Sequence, residues 1–539
     1  MREIRHFVPA RAASAELPLQ RYLESVPADV AACYLEDYMG AEELALDPLA
    51  QSPALPLVAS LSGRKALVSN FNPICTLLVE GLLTLPQPEE LDAATTQLGD
   101  SPKRGMALRE HISRLYASTC ENCAGPLVVD HFSWDGEQGR PVAKYYQCPG
   151  CGLAGGFPVE AEDLRNLERV EAHGVHYWYL LDRLAQPHEP ERQLAEELLQ
   201  LYTPRNLYAL ADLSMKIEAL FSDSPVLLAL QLILLSCLDT CSKLAGAPIP
   251  RAPTMRLQPP SRFMERNVWQ AFEEAYRVVR GWAPARPLRL VSGVEDLLEG
   301  NAQALVLNEP LRRVAGMLPP ASVTLVIGAP QAYYRPFWTL SYLWSGWLWG
   351  QSKASLLKPL VRRRLMGWSW YRRSLAAALR TLHRPLTAQG KMIFVLERAD
   401  LAQVSNLILA SVGADFKLDR LLYQPQEAEP PRHPKQAVAG AYRLTFSTDA
   451  TVRAEPDEVS RETLGPELRQ AALAAITELL QERGQALHLS WLHAAAHERW
   501  ARDGFLRLAL ALDRELSAAD LLQEELEASL DDGLESGLL

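Results

Sequence analysis

The sequence lacks an excess of positive charge: 54 Lys and Arg residues stand against 65 Asp and Glu residues, which gives a formal net charge of −11. This balance excludes a generally basic coat for nucleic acid, although it leaves room for a local basic patch. The chain also lacks a long hydrophobic run. Its most apolar stretch, residues 225–238, is too short to span a bilayer and contains Gln231, so we expect a buried helix there.

Cysteine is scarce, with eight residues in the chain, which indicates metal ligands or free thiols rather than a disulfide framework. The first residues contain no apolar core of the kind that marks a secretory signal peptide. We therefore expect a cytoplasmic protein. The hydrophobic content of 48% and the charged content of 22% are typical of globular proteins.

A chain of 539 residues is too long for a single core. The stretch 44–80 predicts the opening of a doubly wound sheet: an apolar run ends at Asp47, a helix follows over 52–61, and a second apolar run over 66–68 ends before Asn70. Later apolar runs at 304–307, 323–327, 392–396, 417–423 and 441–446 predict the remaining strands. In such sheets the ligand crevice lies at the carboxyl ends of the strands.

The stretch 44–80 resembles motif I of Rossmann-like, S-adenosylmethionine-dependent DNA methyltransferases, and most of all the adenine-specific group that carries a zinc ribbon. That family reads D-P-F-x-G-S-G, then a helix, then G-R, then S-D-x-N-P. Here the two turn glycines of the family fall on Gln51 and Pro53, and the acidic residue expected on the cofactor ribose falls on Asn70. The resemblance implies these cofactor-site positions: Asp47, Pro48, Gln51, Asn70 and Glu309. Because Gln51 and Pro53 obstruct close backbone approach, we expect weak or absent binding of S-adenosylmethionine.

The strand end at 328–331 corresponds to the catalytic loop of that family, D-P-P-Y. There the aspartate and the first proline carbonyl accept hydrogen bonds from the target amino group, and the tyrosine stacks on the flipped base. In this chain Gly328 stands at the aspartate position and Gln331 at the tyrosine position, and only Pro330 matches. The resemblance therefore implies a degenerate catalytic loop.

Two CxxC pairs form the most specific local signal, Cys120 with Cys123 and Cys148 with Cys151, separated by 24 residues. Four thiolates on two hairpin tips predict a closed tetrahedral zinc site with a structural role. The alternating segments 127–132 and 142–147 between the pairs predict strands. The module also resembles the zinc ribbon of the same methylases, and it serves either as a contact for DNA or a partner or as a folding staple.

The resemblance implies a Rossmann-like, doubly wound methyltransferase sheet of the α/β class, interrupted by a zinc ribbon and a helical insertion. The predicted regions are 1–85 and 287–450 for the two halves of the sheet domain, 86–156 for the zinc ribbon, 157–286 for the helical insertion, and 451–539 for a C-terminal helical unit. Within the insertion, 203–207 resembles a helix start near the family's target-recognition elements, and 263–282 predicts a helix. A turn at 389–390 and a frayed acidic tail are also predicted. The C-terminal unit is either winged-helix-like or a plain helical cap.

Aromatic residues are concentrated in the stretch 333–349. Base stacking and the packing of a helix against the sheet both explain them, and packing is favoured. The strongest basic cluster follows directly, either as a phosphate-contacting surface or as a solvated helix face. Its residues are Lys358, Arg362, Arg363, Arg364, Arg372 and Arg373.

Three hypotheses for function follow. The first is a degenerate member of the methylase family that binds DNA or a protein partner without catalysis. The second is an active but divergent S-adenosylmethionine-dependent DNA adenine-N6 methyltransferase. The third is a zinc-bearing assembly protein of a restriction or defence-type complex, without DNA contact. Gly328 and Gln331 argue against the second hypothesis.

Overall fold

The computed structural model describes residues 8, 10, 18–23, 26–246, 257–282, 288, 290–300, 304–330, 335–363, 366–425, 440–448, 460–512 and 517–538. The strands within these ranges are β1 (Leu44–Asp47), β2 (Lys65–Ser69), β3 (Pro102–Lys103), β4 (Met106–Ala107), β5 (Ala117–Thr119), β6 (Pro126–Val128), β7 (His131–Asp135), β8 (Arg140–Gln147), β9 (Ala154–Pro158), β10 (Arg262–Arg266), β11 (Ala304–Leu307), β12 (Val323–Gly328), β13 (Leu386–Ala399), β14 (Phe416–Pro425) and β15 (Gly440–Thr448).

The helices are α1 (Ala28–Tyr38), α2 (Ala54–Leu61), α3 (Pro73–Leu83), α4 (Pro88–Asp100), α5 (Leu108–Arg114), α6 (Ala161–Glu168), α7 (Val175–Leu184), α8 (Arg192–Leu199), α9 (Pro204–Phe221), α10 (Leu227–Thr240), α11 (Val268–Gly281), α12 (Val294–Glu299), α13 (Leu311–Met317), α14 (Arg335–Trp349), α15 (Gln351–Ala354), α16 (Lys358–Val361), α17 (Trp368–Leu379), α18 (Leu401–Gly413), α19 (Arg461–Arg483), α20 (Leu489–Arg502), α21 (Phe505–Ala511) and α22 (Ala518–Glu535). Two 3₁₀ turns cover Ser355–Leu357 and Arg380–His383.

Seven strands form one mixed sheet in the order β11-β2-β1-β12-β13-β15-β14. The strands β11, β2, β1, β12 and β13 pair in parallel, whereas β15 runs antiparallel to both of its neighbours. The predicted α/β class is thus confirmed, and each of the seven predicted sheet strands lies within an observed strand. The strand order turns around between β1 and β12, and the crevice at such a switch point is where open α/β sheets bind ligands.

The apolar runs become central strands because a sheet covered on both faces needs continuous hydrophobic segments. All four residues of β1 and all five residues of β2 are buried. Helices α1 and α2 cover one face, where Tyr34 and Leu35 belong to the core. Helix α18 packs with α19, α20 and α22 in a second core that includes Phe394 and Phe446.

The chain leaves the sheet after β2 and returns at β11, and the inserted segment contributes most of the residues of one hydrophobic core. Strands β7, β8, β9 and β10 form a four-stranded antiparallel sheet in the order β10-β7-β8-β9. Helices α7, α9, α10 and α11 share one hydrophobic core with it, and this core also takes in residues of α3 and α14. The inserted segment therefore shares its core with the sheet domain.

Two glycines allow the inserted helices to pack closely against helices α3 and α14. A Cβ built on Gly81 of α3 would lie 2.6 Å from Leu232 of α10, and a Cβ built on Gly346 of α14 would collide with the side chain of Leu184 of α7. The absence of a side chain at these two positions lets the helices approach one another. Larger residues there would force the packed helices apart.

We expect Gly346→Ala to lower the free energy of unfolding by about 1–3 kcal/mol, because the added methyl group overpacks the contact with Leu184. Gly316 in α13 is a matched control, since a Cβ there meets nothing within 4 Å. Gly316→Ala should instead stabilise the protein by about 0.4–1 kcal/mol by reducing the freedom of the unfolded chain. Urea denaturation of both variants tests the pair, and equal effects would contradict the close approach of α7 and α14.

Two predicted elements are wrong in detail. Residues 262–266 form strand β10 rather than the start of a helix, because Phe263 and Glu265 point inward and alternate with exposed residues. Helix α11 begins only after Asn267, whose side chain caps it. Strand β10 pairs with β7, so this antiparallel sheet includes residues on both sides of the boundary predicted at 156/157. The predicted turn at 389–390 lies inside the continuous strand β13.

The acidic C-terminal segment is not frayed as predicted. Residues 518–535 form helix α22, which Ser517 caps. Leu521, Leu522 and Leu526 are buried against the core of the sheet domain. Helices α19 to α22 thus extend that core, and an apolar stripe rather than charge decides the structure of this segment.

Candidate metal centre and strand-end site

The four predicted zinc ligands come together at the ends of the β5–β6 and β8–β9 hairpins, within residues 117–158, a segment called the ribbon below. The sulfur atoms of Cys120, Cys123, Cys148 and Cys151 all lie within 4.8 Å of one another. The Sγ atoms of Cys120 and Cys151 are 3.7 Å apart, and those of Cys123 and Cys148 are 3.6 Å apart. Zinc–sulfur bonds of about 2.3 Å in a tetrahedron separate two sulfurs by about 3.8 Å, so the cluster has the size of a four-thiolate zinc site.

The two CxxC pairs are held by the same backbone arrangement. In the first, the amide of Ala124 donates to the carbonyl of Cys120 at 2.9 Å; in the second, the amide of Gly152 donates to the carbonyl of Cys148 at 2.9 Å. Both residues that follow the second cysteine have positive φ, 53° for Ala124 and 75° for Gly152. The amide of Cys123 donates to the Cys120 thiol and lowers its pKa to about 6. Cys120 thus favours the thiolate, the form that binds metal. At Cys123 the amide of Gly125 opposes a rise in pKa, but the three other thiols raise the pKa to about 11.

Asp47, the first predicted cofactor residue, ends β1 and faces the protein interior. Only 4% of the residue is exposed, and its Oδ1 accepts hydrogen bonds from the amides of Leu49 at 2.9 Å and Ala50 at 3.1 Å. Burial raises its pKa to about 7, although these two amides partly offset the shift. Pro48 and Gln51 are also buried. The turn after β1 therefore folds onto its own carboxylate.

Asn70, at the position of the ribose-binding acid, hydrogen-bonds to the protein with both of its side-chain polar atoms. Its Nδ2 donates to the carbonyl of Leu49, and its Oδ1 accepts from the amide of Asn72 at 2.9 Å. The side chain of Asn308 in turn donates to the carbonyl of Asn70 at 3.0 Å. The neighbouring Glu309 pairs with Arg313 at 3.3 Å. These contacts give the side chains of Asn70 and Glu309 partners within the protein itself.

The catalytic-loop positions border the same turn. A Cβ built on Gly328 would lie 3.1 Å from Oδ1 of Asp47 and 3.2 Å from the side chain of Leu49. An aspartate at this position would therefore crowd a buried carboxylate. The carbonyl of Pro330 accepts a hydrogen bond of 3.0 Å from the buried side chain of Gln403 in α18. Gln331 lies outside the described residues.

Replacing Asp47 with Asn should stabilise the protein at high pH. The folded-state pKa of Asp47 is raised, so its contribution to stability is present below the unfolded pKa near 4 and is lost as pH rises toward 7. Asparagine keeps an oxygen for the two amides and carries no charge. We expect Asp47→Asn to raise the free energy of unfolding, measured by urea denaturation, by on the order of 3 kcal/mol at pH 8. The gain should be smaller at pH 5. Asp531→Asn, at an exposed position of α22, is the control and should change little.

The aromatic stretch forms the buried helix α14 in its described part. Phe337, Tyr342, Trp344 and Trp347 are at most 1% exposed. Tyr342 donates a hydrogen bond of 2.9 Å to the carbonyl of Leu184. These four rings are core residues, as the favoured interpretation held, but they pack α14 against α3 and the inserted helices rather than against the seven-stranded sheet. The aromatic residues 333 and 334 lie outside the described residues.

Two members of the basic cluster are paired with acidic residues of the inserted segment. Lys358 pairs with Glu189 at 2.6 Å. Arg362 forms a two-pronged pair with Glu191, one contact of which measures 2.9 Å. These two cations lower the pKa values of both glutamates through the hydrogen bonds they donate. The acidic partners precede the cluster by about 170 residues, which explains why the sequence did not reveal them.

The remaining members of the cluster are dispersed. Arg372 is buried and donates to Oδ1 of Asn406 at 3.2 Å. The guanidinium of Arg363 lies 5.1 Å from the ring centre of Trp370. Arg373 is exposed and Arg364 lies outside the described residues. The described members therefore divide between buried, ion-paired and exposed positions.

An important polar contact was missed in the segment near residue 205. Arg205 lies in the first turn of α9, where it pairs with Glu265 of β10 and is 2% exposed. Trp134 of β7 donates a hydrogen bond of 2.8 Å to the same carboxylate. The stretch 203–207 resembles a helix start near the target-recognition elements of the methylase family. In the structure its Arg205 joins helix α9 to strand β10. The alternation of apolar and charged residues at 262–266 was the available signal for it.

Comparisons with protein-family models, with curated proteins and with solved structures found no match to this chain. Among the described residues, none of the helices combines the length and the apolar character needed to cross a membrane.

Proposed function

We propose that this protein is a catalytically inactive relative of the zinc-ribbon DNA adenine methyltransferases, and that it acts by binding a partner. The observation that carries the proposal is that polar side chains at the strand ends are bound by the protein itself. Asp47, Asn70 and Gly328 lie where the resemblance implies cofactor and catalytic groups, and the first two bind the protein's own backbone. Open crevices at this edge are what ligand-binding sheets of this class use.

Two further features support the proposal. The antiparallel pairing of the last two strands in the sheet is the closure that the resemblance implies for a methyltransferase-like fold. The four-cysteine cluster fits the zinc ribbon that the same family carries. Zinc bound by Cys120, Cys123, Cys148 and Cys151 would have no open coordination position, so its role would be to hold the ribbon.

A protein partner is favoured over duplex DNA by the pairing of the basic cluster. Affinity for duplex DNA comes largely from cations that neutralise phosphates. Lys358 and Arg362 are ion-paired with Glu189 and Glu191, and Arg372 is buried. Together with the net charge of −11, this pairing supports an assembly role in a modification or defence-type complex.

Calorimetric titration with S-adenosylmethionine, combined with a methyl-transfer assay on duplex DNA, tests the proposal. We expect no transfer and no binding at the strand ends. Asp47→Asn is the matched variant, because it changes the first cofactor position and should leave the fold intact. Methyl transfer by the unaltered protein, or a micromolar dissociation constant that Asp47→Asn abolishes, would overturn the proposal in favour of the active enzyme.

Duplex binding at low salt separates the two kinds of partner. We expect no duplex binding with micromolar affinity. Each phosphate that a protein cation neutralises contributes about 0.9 to the slope of log affinity against log salt. If binding occurs and the double variant Arg363→Ala, Arg373→Ala reduces that slope by one or two such steps, DNA is the partner instead.

A further inference from the structure

Helix α20 presents three titratable side chains to the sheet domain. His493 and His497 are at most 1% exposed, and both rings bond to the hydroxyl of Ser405 in α18. Glu498 faces β14 instead, where its Oε1 accepts a hydrogen bond of 2.8 Å from the amide of Leu421. Within the described residues β14 is an outermost strand of the seven-stranded sheet. Helix α20 therefore covers a helix of the sheet domain and an amide of its edge strand.

When both histidine rings are neutral, the hydrogen bonds fix where their protons lie. Nδ1 of His497 lies 2.9 Å from the carbonyl of His493, which can only accept, so this nitrogen carries the hydrogen. Nε2 of His497 is then an acceptor, and Ser405 donates its hydroxyl hydrogen to it at 3.0 Å. The same hydroxyl oxygen accepts from Nε2 of His493 at 2.9 Å. Nδ1 of His493 is consequently unprotonated, and it has no hydrogen-bond partner among the described residues.

This arrangement does not accommodate a second proton on either ring. On Nε2 of His497 the proton would meet the hydroxyl hydrogen of Ser405, and on Nδ1 of His493 it would find no acceptor in the described structure. The two rings are stacked with 3.9 Å between their centres, so two positive charges would repel one another. Burial accordingly lowers the pKa of His497 to about 4, and burial together with the neighbouring ring lowers the pKa of His493 well below its usual value.

The elements packed against α20 do not offset this cost with an opposite charge. Helix α18 contains no titratable side chain. On the other packed elements, and on α20 itself, the titratable or charged side chains that are not fully exposed are Arg420 and Tyr423 of β14, Arg469 of α19, Arg507 of α21, and Glu498 and Arg499 of α20. Arg469 pairs with Glu525 at 3.0 Å, and Arg499 pairs with Asp503 at 2.6 Å. Glu498 is thus the acidic member of this set, and its carboxylate is bonded to β14.

We propose that the C-terminal unit, helices α19 to α22, is an acid-sensitive clamp: protonation of His493 and His497 releases α20 from α18 and β14 and uncovers the edge of β14. Edge strands are normally covered because their unpaired amides and carbonyls recruit further strands. In the closed clamp Glu498 covers the amide of Leu421. Acid therefore opens a strand edge for pairing that is closed at neutral pH. The clamp is independent of the proposed function, because it uses neither the cysteine cluster nor the strand ends.

The direction of the pH dependence follows from the lowered pKa values of the two histidines. A group whose pKa is lowered in the closed form stabilises that form above the pKa of the open form, about 6.5 for an exposed histidine, and this contribution is lost as pH falls. Glu498 acts in the opposite direction, because burial raises its pKa. Opening between about pH 6 and pH 4.5 should therefore take up close to two protons, less those that Glu498 releases.

Hydrogen exchange of the full-length protein, followed by mass spectrometry between pH 7 and pH 4.5 and corrected for the intrinsic exchange rate, tests the proposal. The reporter peptides cover 489–502 and 416–425, and the reference peptides cover β1 and β2. We expect the opening constant of the reporters to rise by up to about one hundred-fold per pH unit, since two protons are taken up, while the reference strands stay protected. An opening constant that does not change with pH would overturn the proposal. Equal exchange in the reference strands would also overturn it, because that result indicates global unfolding.

Substitutions by glutamine count the protons, because glutamine keeps a polar group for Ser405 and does not titrate. The rise should fall to about ten-fold per pH unit in His493→Gln or in His497→Gln, and it should vanish in the double variant. His188→Gln, at an exposed histidine, is the matched control and should behave as the wild type. A double variant with the wild-type pH dependence would assign the protons to other groups and contradict the clamp.

Glu498→Gln separates the histidines from the neighbouring carboxylate. Its side-chain oxygen still accepts from the amide of Leu421, and the opposing titration is gone, so the rise per pH unit should be at least as steep as in the wild type. Loss of the pH dependence in this variant would place the switch in Glu498 and overturn the role of the histidines. This variant and the wild-type measurement decide the question even if the double histidine variant does not fold.

Discussion

Replacing Arg205 with Met is expected to lower the free energy of unfolding by about 3–5 kcal/mol, because it leaves a buried carboxylate without its counter-ion. The Nε atom of Arg205 lies 3.1 Å from Oε1 of Glu265, whose side chain is fully buried. The pair joins α9 to β10, so the loss should loosen the packing between the helices and the ribbon. Urea denaturation with an intrinsic tryptophan signal measures the effect.

A second substitution distinguishes an unpaired charge from impaired packing. In the double variant Arg205→Met, Glu265→Gln the charge is gone and an oxygen remains for the indole N–H of Trp134. We expect this double variant to recover a large part of the stability. Arg114→Ala is the control at an exposed ion pair with Glu110 and should cost about 0.5 kcal/mol or less. A single variant as stable as the wild type would show that the pair does not stabilise the fold.

Replacing Cys148 with Ser is expected to abolish zinc binding and to unfold the ribbon. Zinc contributes its binding free energy directly to folding in small metal sites, on the order of 10 kcal/mol in isolated zinc-finger peptides. Three thiolates and a hydroxyl cannot replace the closed site. Metal analysis should give one zinc per chain for the wild type and none for the variant, and limited proteolysis should cut the variant within residues 117–158.

Cys33→Ser supplies the matched control, since Cys33 is a half-buried thiol of α1, outside the cluster. It should retain one zinc per chain and resist proteolysis as the wild type does. Wild-type protein that contains no zinc after purification in zinc-supplemented medium, with all four thiols open to alkylation, would eliminate the metal site.

The elements that were predicted correctly from the sequence are those in which local pattern and tertiary structure agree. The runs 304–307 and 323–327 consist of largely apolar residues, and central parallel strands require such runs. The cysteine pairs are equally local, because each CxxC tip is formed by a few neighbouring residues. At 262–266, by contrast, the apolar residues alternate within a longer helical pattern, and the pairing with a strand more than 120 residues earlier decided the structure.

The candidate site was harder to predict because its character depends on distant partners. Asn70 was correctly placed at a strand end, but its hydrogen bond to Leu49 turns a ligand position into a structural one. Lys358 and Glu189 are 169 residues apart in the chain, so the charge of each gives no sign of the other.

The long insertion within the sheet has a consequence for synthesis on the ribosome. Leu46 of β1 pairs with Val326 of β12, so 280 residues must be added before the first strand meets this neighbour. At roughly 5–20 residues per second, the wait is roughly 15–60 s. During that time the β1–β2 pair exposes two unpaired edges, which invite contacts with other nascent chains. Because these edges lie within residues 44–69, we expect a chaperone that covers this segment during translation to raise the yield of folded protein.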